Sequence, residues 1–360
     1  MKKINKNTKV LVAMSGGVDS AVAAQLLKNQ GYEVTGVFLY FWKDDQTSEK
    51  VENRCCSLQS LLDAKAVAGK IGIPLHTFNF SEPFKKAVVD NFLSEYDSGR
   101  TPNPCVACNK QVKIGLLLKY ARSLGFAYVA TGHYLKTRKT GSNYQLFKAK
   151  DKNKDQSYFL YTFTPAELKH LLFPLGNYTK TQVRQLAAKF KLRVAAKPES
   201  QDICFLSGDH NNFLKRYLKL KSGDIRILDT KEKIGEHLGL PLYTIGQRRG
   251  LVGGTGPYYV AKFDHQKNIL YVVKNWNDQI LYQDNLVAKK VNWLDGKYKK
   301  KIFKCTAVIR YGHPAVPCLV TFKNKQDYLV KFTKPQRAIT PGQSVVFYNR
   351  NQVLGGGMIK

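Results

Sequence analysis

The stretch Ser15-Gly16-Gly17-Val18-Asp19-Ser20 decides the fold of the first part of the chain. An apolar run, residues 10–14, precedes it and has the length and branching of a buried strand, whereas residues 21–28 are good helix formers with apolar positions at helical spacing. The stretch is therefore predicted to be a loop that joins a strand to a helix. Its adjacent glycines let the backbone approach a ligand closely, and its amide groups, together with the first helical turn, suit a phosphate.

A tight turn that binds nothing is the alternative for a pair of glycines alone. The loop lacks the Lys-Ser or Lys-Thr of a P-loop, and it does not follow the Gly-x-Gly-x-x-Gly dinucleotide pattern. It resembles instead the pyrophosphate loop, Ser-Gly-Gly-x-Asp-Ser, of enzymes that cleave ATP between its α- and β-phosphates and leave AMP on a substrate oxygen. The hydroxyls of Ser15 and Ser20 are candidate phosphate donors, and Asp19 is expected either to cap the helix or to hold a magnesium ion that the phosphates share.

The charge of the chain favours a polyanionic partner. Its 58 Lys and Arg residues outnumber 26 Asp and Glu residues, which gives a net charge of +32 over 360 residues. Such a field attracts nucleic acid, although a general lysine bias is an alternative explanation. No apolar run approaches the roughly 18 residues of a membrane span, and the basic N-terminus lacks the apolar segment of a signal peptide. We therefore expect a cytoplasmic protein with no membrane partner.

Strand-like and helix-like segments alternate up to about residue 200, which predicts an α/β domain built on a parallel sheet. The second to fourth strands are expected at residues 33–42, 73–80 and 128–131. Ligands of such sheets lie at the carboxyl ends of the strands. Leu39, near the end of the second strand, is therefore placed to touch an adenine, and Gly132 directly follows the fourth strand.

The pattern changes after about residue 209, where short β-type runs separated by Gly, Pro and Asn replace the alternation. We predict a small central α+β domain and then a C-terminal antiparallel β-barrel. The predicted boundaries are 1–205 for a catalytic domain that resembles the ATP pyrophosphatases, 206–280 for a central nucleic-acid-binding domain and 281–360 for the barrel. The central region carries Arg248 and Arg249 between glycines, which suits contact with a phosphate backbone.

Cys105 and Cys108 form a Cys-x-x-Cys motif that admits three interpretations. A zinc knuckle would need two more ligands at similar spacing, but the cysteines at positions 55–56 are adjacent, with no residues between them. A thioredoxin-like redox pair would sit at the start of a helix in a different fold. In the third interpretation one of the two acts together with Cys204, one cysteine carrying a sulfur atom as a persulfide and the other helping to release it. Buried inert thiols are the alternative for any single cysteine.

Six stretches together resemble the bacterial and mitochondrial tRNA-uridine 2-sulfurtransferases, which make 2-thiouridine at the wobble position of tRNA. They run through nearly the whole chain in the order of that family: residues 15–20, 101–109, 131–134, 154–160, 200–205 and 243–250. The resemblance implies that ATP binds to the loop, to the end of the second strand and to the residue after the fourth strand. The implied nucleotide-binding residues are Ala13, Met14, Ser15, Gly16, Gly17, Val18, Asp19, Ser20, Leu39 and Gly132.

The resemblance also implies roles in sulfur transfer and in RNA binding. Cys108 matches the nucleophile of the family and Cys204 its persulfide carrier, whereas Cys105 stands where some members have an aspartate. The implied contacts with the target base or elsewhere on the tRNA are Asn103, Pro104, Cys105, His133, Lys154, Asp155, Gln156, Arg310, Tyr311 and Gln343. The chain departs from the family at residues 39–42, where Leu-Tyr-Phe-Trp replaces the usual Met-Lys-Asn-Trp near the adenine.

The implied reaction transfers AMP to the O2 atom of uracil and then replaces the adenylate with sulfur from a persulfide on Cys204. The sulfur arrives by direct attack, or as hydrosulfide freed when Cys108 attacks the persulfide, and the second route leaves a Cys108–Cys204 disulfide for a reductant to reopen. ATP, Mg²⁺, the anticodon stem-loop of tRNA and a sulfur-donor relay protein or cysteine desulfurase are the implied cofactors and partners. Two other hypotheses stay open: a related ATP-dependent ligase for a small acid, which would not need the two cysteines, and a non-catalytic RNA-binding protein, which would release no AMP.

Overall fold

A computed structural model describes residues 7–44, 57–141, 143–198, 203–206, 209–251 and 256–360. Its helices are α1 (Val18–Asn29), α2 (Leu58–Ile71), α3 (Ser81–Phe84), α4 (Asp90–Asp97), α5 (Pro104–Cys108), α6 (Gly115–Ser123), α7 (Pro165–Leu168), α8 (Lys180–Lys189) and α9 (His210–Tyr217). Its strands are β1 (Lys9–Ala13), β2 (Glu33–Tyr40), β3 (Leu75–Asn79), β4 (Tyr128–Ala130), β5 (Leu135–Thr140), β6 (Asn143–Lys148), β7 (Leu171–Leu172), β8 (Gly223–Ile227), β9 (Lys233–His237), β10 (Tyr259–Asp264), β11 (Ile269–Val273), β12 (Tyr282–Trp293), β13 (Ile302–Val308), β14 (Val316–Asn324), β15 (Asp327–Arg337), β16 (Ser344–Asn349) and β17 (Gln352–Ile359).

The first part of the chain forms the predicted parallel sheet, with strand order β3-β2-β1-β4-β7. Its central strands are apolar on both sides, so each face of the sheet covers its own core. Leu11 and Leu39 belong to the apolar cluster on one face, whereas Val10 and Phe38 belong to the cluster on the other, which also contains the buried side of α1. This arrangement is typical of parallel sheets with helices on both faces, and it confirms the predicted α/β class.

The region before α6 contains a short helix that follows two prolines. The helix α5 begins at Pro104, because Asn103 Oδ1 caps it by accepting a hydrogen bond from the Val106 amide at 3.4 Å and Pro104 occupies the first helical position. A π-helical segment, Asn109–Lys113, follows and leads into α6. Such π-helical turns often lie at functional sites. Cys108 is therefore the last residue of a short helix, next to this irregular turn.

The central region forms a four-stranded sheet of order β10-β11-β8-β9, in which β8 and β11 run parallel. The last third of the chain confirms the predicted antiparallel barrel. Six strands follow one another in the order β12-β15-β14-β13-β16-β17, and pairing of β12 with β17 closes the ring. Closure removes exposed strand edges from this domain.

The hairpin β5–β6 was missing from the sequence prediction, which assigned the chain up to about residue 200 to one α/β domain. β6 pairs antiparallel with β17, so this hairpin extends the sheet of the barrel. Leu135 and Leu146 of the hairpin are fully buried and share an apolar cluster with Val353 of β17. The barrel and the parallel sheet are consequently joined through a common core.

Candidate active site

Hydrogen bonds within the loop between β1 and α1 fix its conformation. Ser20 Oγ accepts a hydrogen bond from the Ser15 amide at 3.2 Å and donates one to the Gly17 carbonyl at 3.1 Å. The predicted phosphate donor Ser20 is thus engaged inside the loop, and its side chain is buried. Gly17 is the N-cap residue of α1 without a side-chain capping bond, so Asp19 is not the cap. The first-turn amides of α1 face the space above the sheet, which suits an anion.

Two glycines allow the loop to pack against its neighbours. Gly16 has φ +70°, and a Cβ atom there would lie 2.2 Å from the Ser60 carbonyl oxygen of α2. A Cβ atom on Gly132 would lie 2.8 Å from the Asp19 carbonyl carbon and the Ser20 nitrogen. Both positions need glycine, because these contacts are with backbone atoms that do not move easily. Gly132 therefore sits directly on the first turn of α1, as the sequence placed it.

The remaining predicted nucleotide-binding residues are buried. Met14 donates its amide hydrogen to the Val37 carbonyl at 2.8 Å, which continues the sheet past the end of β1. The side chains of Ala13, Met14, Val18 and Leu39 all lie in the two cores of the sheet. These side chains therefore contribute to the packing of the sheet.

The Asp19 carboxylate is bonded to two side chains from later parts of the same domain. Lys180 Nζ, at the start of α8, lies 2.7 Å from Oδ1 and 2.8 Å from Oδ2 of Asp19. The Tyr134 hydroxyl donates to Oδ1 at 2.7 Å. Lys180 was not among the predicted site residues, because a single lysine in a lysine-rich chain gives no local signal.

A second lysine holds the other side of the loop. Lys197 Nζ donates to the Gly16 carbonyl at 3.1 Å and to Asp63 Oδ2 of α2 at 2.7 Å. The Asp63 side chain is only 8% exposed, and Arg193 is its second cation at 3.7 Å. Burial alone would raise the pKa of Asp63, but the hydrogen bonds from Lys197 and Gln59 outweigh it and the pKa is lowered. The carbonyl of Gly16 is thereby covered by a cation beside the phosphate loop.

The structure brings Cys108 and Cys204 together although they are far apart in sequence. Burial raises the pKa of the Cys108 thiol well above the usual range, and the nearby Cys204 raises it further, whereas the ammonium group of Lys113 acts in the opposite direction. Cys108 is buried, and Cys105 is exposed. Residues 200–202, the first part of the stretch 200–205 that carries Cys204, lie outside the described residues, as do Cys55 and Cys56.

The thiols and the phosphate loop share one end of the sheet. His133 follows Gly132 and is buried, with Nδ1 2.8 Å from Thr131 Oγ1. Burial lowers the pKa of His133 well below its usual range, and the positive charge of Lys113 lowers it further, so its imidazole is neutral at pH 7. Lys113 therefore lies near both His133 and Cys108, and it links the two halves of the site.

Some of the predicted tRNA-contact residues form a second group at the barrel: Arg310, Tyr311 and the segment 154–156. Tyr311 is 47% exposed, and its ring packs against Phe159 with centroids 4.6 Å apart. Arg310 beside it is exposed. Phe159 follows shortly after the stretch Lys154-Asp155-Gln156, so the structure brings these predicted contacts close to Arg310 and Tyr311.

Asp155 and Gln156 also brace their own segment. Asp155 Oδ1 accepts hydrogen bonds from the Ala149 amide at 2.9 Å and the Ser157 amide at 3.3 Å, and burial raises the pKa of Asp155. Gln156 exchanges hydrogen bonds with the backbone of Tyr134, its Oε1 accepting from the amide at 3.0 Å. Asp155 thus ties this segment to the residue after β6, and Gln156 ties it to the residue before β5.

Gln343 of the barrel reaches the segment in front of α5. Its Nε2 donates to the carbonyls of Thr101 at 3.2 Å and Pro102 at 3.1 Å. Asn103 and Pro104 follow directly, and Asn103 also contacts the Tyr158 hydroxyl. Gln343, which the resemblance also assigned to tRNA contact, thus holds the two residues directly in front of the implied base-binding residues.

The described part of the chain shows neither a metal-ligand cluster nor a membrane-spanning helix. No group of three or more His, Cys, Asp or Glu side chains in the described part of the chain is arranged to hold a metal ion, which gives the zinc-knuckle interpretation no support there. Over those residues, no helix is long and apolar enough to cross a membrane.

Three family models match consecutive parts of the chain: a tRNA methyl transferase HUP domain over residues 8–208, a tRNA methyl transferase PRC-barrel domain over 211–274 and an aminomethyltransferase beta-barrel domain over 283–359. Among solved structures, a 4-thiouridine synthetase in complex with RNA and ATP covers 58% of this chain and 50% of its own at 16% identity and a TM-score of 0.36, which is too remote to inform function.

Curated relatives match over almost their full length. A tRNA-specific 2-thiouridylase of Caldanaerobacter subterraneus is 46% identical over 365 residues, covering 99% of both chains. Another, of Clostridium kluyveri, is 45% identical over 354 residues, covering 98% of this chain and 99% of its own. A third, of Nitrosomonas europaea, is 44% identical over 363 residues and covers 99% of both. The names of the family models mention methyl transfer, but matches of this extent decide the assignment: the chain belongs to the family of tRNA-specific 2-thiouridylases.

Proposed function

We propose that this chain is a tRNA-uridine 2-sulfurtransferase that thiolates the wobble uridine of tRNA at the expense of ATP. The observation that carries the proposal is the placement of two thiols, Cys108 and Cys204, at the same end of the sheet as a phosphate-type loop. A ligase for a small acid would need the loop without the thiols. An RNA-binding protein would need neither.

In the first step the uracil O2 attacks the α-phosphorus of ATP, so an O–P bond forms and the bond to pyrophosphate breaks. The first-turn amides of α1 would stabilise the departing pyrophosphate. Asp19 offers a carboxylate of the kind that Mg²⁺ shares with substrate phosphates, and since Mg²⁺ takes few protein ligands, the lack of a larger acidic cluster in the described ranges fits. The ion, when bound, would offset negative charge on the phosphates.

In the second step sulfur replaces the adenylate. The terminal sulfur of a persulfide on Cys204 forms a bond to C2, and AMP leaves with the bonding electrons. The Cys108 thiolate attacks the sulfur of Cys204, the S–S bond of the persulfide breaks, and a Cys108–Cys204 disulfide closes. If Cys108 attacks the persulfide first, the disulfide closes and releases hydrosulfide. The hydrosulfide then forms the bond to C2 as AMP leaves. A dithiol must then reduce the disulfide before the next turnover.

The roles of the remaining predicted residues follow from their positions. Asn103, Pro104 and Cys105 would meet the target base, since they lie on the N-terminal side of the Cys108 helix. Arg310, Tyr311 and the segment 154–156 would hold the tRNA, with a net charge of +32 to attract it. The base must leave the anticodon stack to reach the thiols. The sulfur on Cys204 would come from a relay protein or a cysteine desulfurase.

The test is mass spectrometry of wobble uridine in cells whose own enzyme is replaced by this protein. We expect 2-thiouridine with the wild type, none with Cys108→Ser or Cys204→Ser, and a wild-type level with Cys305→Ser, a matched thiol control in the barrel. Product in either active-site variant would show that the persulfide pair is misassigned. AMP release from ATP and tRNA in vitro separates the remaining hypotheses, because a plain RNA-binding protein releases none.

A further inference from the structure

Asp19 places a carboxylate in a loop that must accept a polyanion. It is the second residue of α1, and its side chain is 34% exposed beside the loop. A carboxylate suits the N-terminus of a helix when nothing else is bound, but it repels a triphosphate at the same place. As long as no metal ion occupies that carboxylate, the loop needs another charge that offsets Asp19 for ATP to bind.

Lys180 supplies that charge. Its ammonium group bridges both oxygens of Asp19 at 2.7 and 2.8 Å, and its side chain is only 12% exposed. Tyr134 donates its hydroxyl to the same carboxylate at 2.7 Å. Two donors from different elements thus hold the Asp19 carboxylate in one orientation.

Stability of α8 does not explain a lysine at this position. Lys180 is the first residue of α8, where the helix dipole disfavours a cation. The end of the helix is already satisfied by a capping box between Thr179 and Gln182, and the Lys180 amide donates to Asp151 Oδ2 at 2.8 Å. The backbone is fixed by these bonds, and the side chain extends to another element 161 residues away in sequence.

We propose that Lys180 is a positioning residue for ATP: it neutralises and orients Asp19, with Tyr134, so that the loop accepts the triphosphate. The inference rests on the proposed function, since it assumes that ATP binds at this loop. It assigns a role to a residue of α8 that has no place in the loop motif.

The test measures ATP binding by titration calorimetry in the absence of tRNA, so that no reaction follows, and in the presence of EDTA, so that Asp19 holds no metal ion. The wild type is also titrated with MgCl₂. The variants are Lys180→Met, the double variant Lys180→Met/Asp19→Asn, and Lys189→Met, a control at an exposed position of the same helix. We expect Lys180→Met to weaken ATP binding roughly tenfold or more, because it leaves the Asp19 charge without its counter-ion. Removing that charge as well should restore binding to within about threefold of wild type, and Lys189→Met should bind as wild type does.

Wild-type affinity for ATP in Lys180→Met would overturn the inference. A double variant that binds ATP no better than Lys180→Met would also overturn it, because direct contact of Lys180 with the phosphates would then be the better explanation. If Lys180→Met does not fold, the double variant decides alone. Binding within about threefold of wild type supports the inference, and binding weakened about tenfold or more overturns it. Failure of the wild type to bind ATP would instead refute the proposed function, and the two failures are thereby distinguishable.

Discussion

The two adjacent glycines of the phosphate loop look equivalent in sequence, and the structure predicts that they differ sharply. Gly16→Ala would place a side chain at φ +70° and a Cβ atom 2.2 Å from the Ser60 carbonyl oxygen. The left-handed backbone costs about 1–2 kcal/mol and the forced shift of α2 about 1–3 kcal/mol, for a loss of about 2–5 kcal/mol. In a domain of this size that corresponds to a fall of roughly 4–20 °C in Tm.

Gly17→Ala is the matched control. Gly17 has φ −101°, and its Cβ atom would lie 3.5 Å from Ser15 Oγ, an ordinary contact. The cost at this N-cap position is below about 1 kcal/mol, partly because alanine restricts the unfolded chain. Thermal unfolding of both variants, followed by circular dichroism without ligand, makes the comparison. If Gly16→Ala proved as stable as Gly17→Ala, the close packing of the loop on α2 would be refuted.

Three further outcomes are expected. In Lys197→Met the pKa of Asp63 should rise; because the stability from a lowered pKa is present above the unfolded value and lost as pH falls through the folded value, the variant should have a lower Tm at neutral pH and a smaller fall of Tm on acidification than wild type, and an unchanged profile would contradict the pair. Lys113→Met should slow alkylation of Cys108 at neutral pH by roughly threefold or more, measured by mass spectrometry, since it removes the charge that favours the thiolate; a faster reaction would exclude that role. Tyr311→Ala should weaken tRNA binding at least roughly fivefold in a filter-binding assay while ATP affinity is unchanged, and an equal loss for both ligands would indicate a structural effect.

Local signals were enough for the strand–loop–helix unit at the start of the chain. The apolar run before Ser15 and the helix formers after Ser20 each specify one element, and their order places the loop at the carboxyl end of the sheet. Gly132 could be placed at the same end by the same rule. The barrel was predictable too, because its short strands alternate with turns at regular intervals.

Interactions between distant segments had no such signal. The hairpin β5–β6 pairs with β17, whose sequence lies some two hundred residues later, and nothing within the hairpin indicates that partner. Lys180 meets Asp19 across 161 residues, and in a chain with 58 basic residues no single lysine stands out. The placement of Cys204 beside Cys108 followed only from the family resemblance, since spacing alone left three interpretations of the cysteines open.

The segment in front of α5 explains why the three parts of the chain belong together in one enzyme. The Thr101 amide donates to the Pro341 carbonyl at 2.9 Å, and its hydroxyl lies 3.1 Å from that of Thr244 in the central region. Gln343 holds the Thr101 carbonyl from the barrel. Since α5 begins three residues later and ends at Cys108, both of the other regions fix the position of this helix. An RNA bound to the barrel would therefore contact the domain that also fixes the backbone in front of the Cys108 helix.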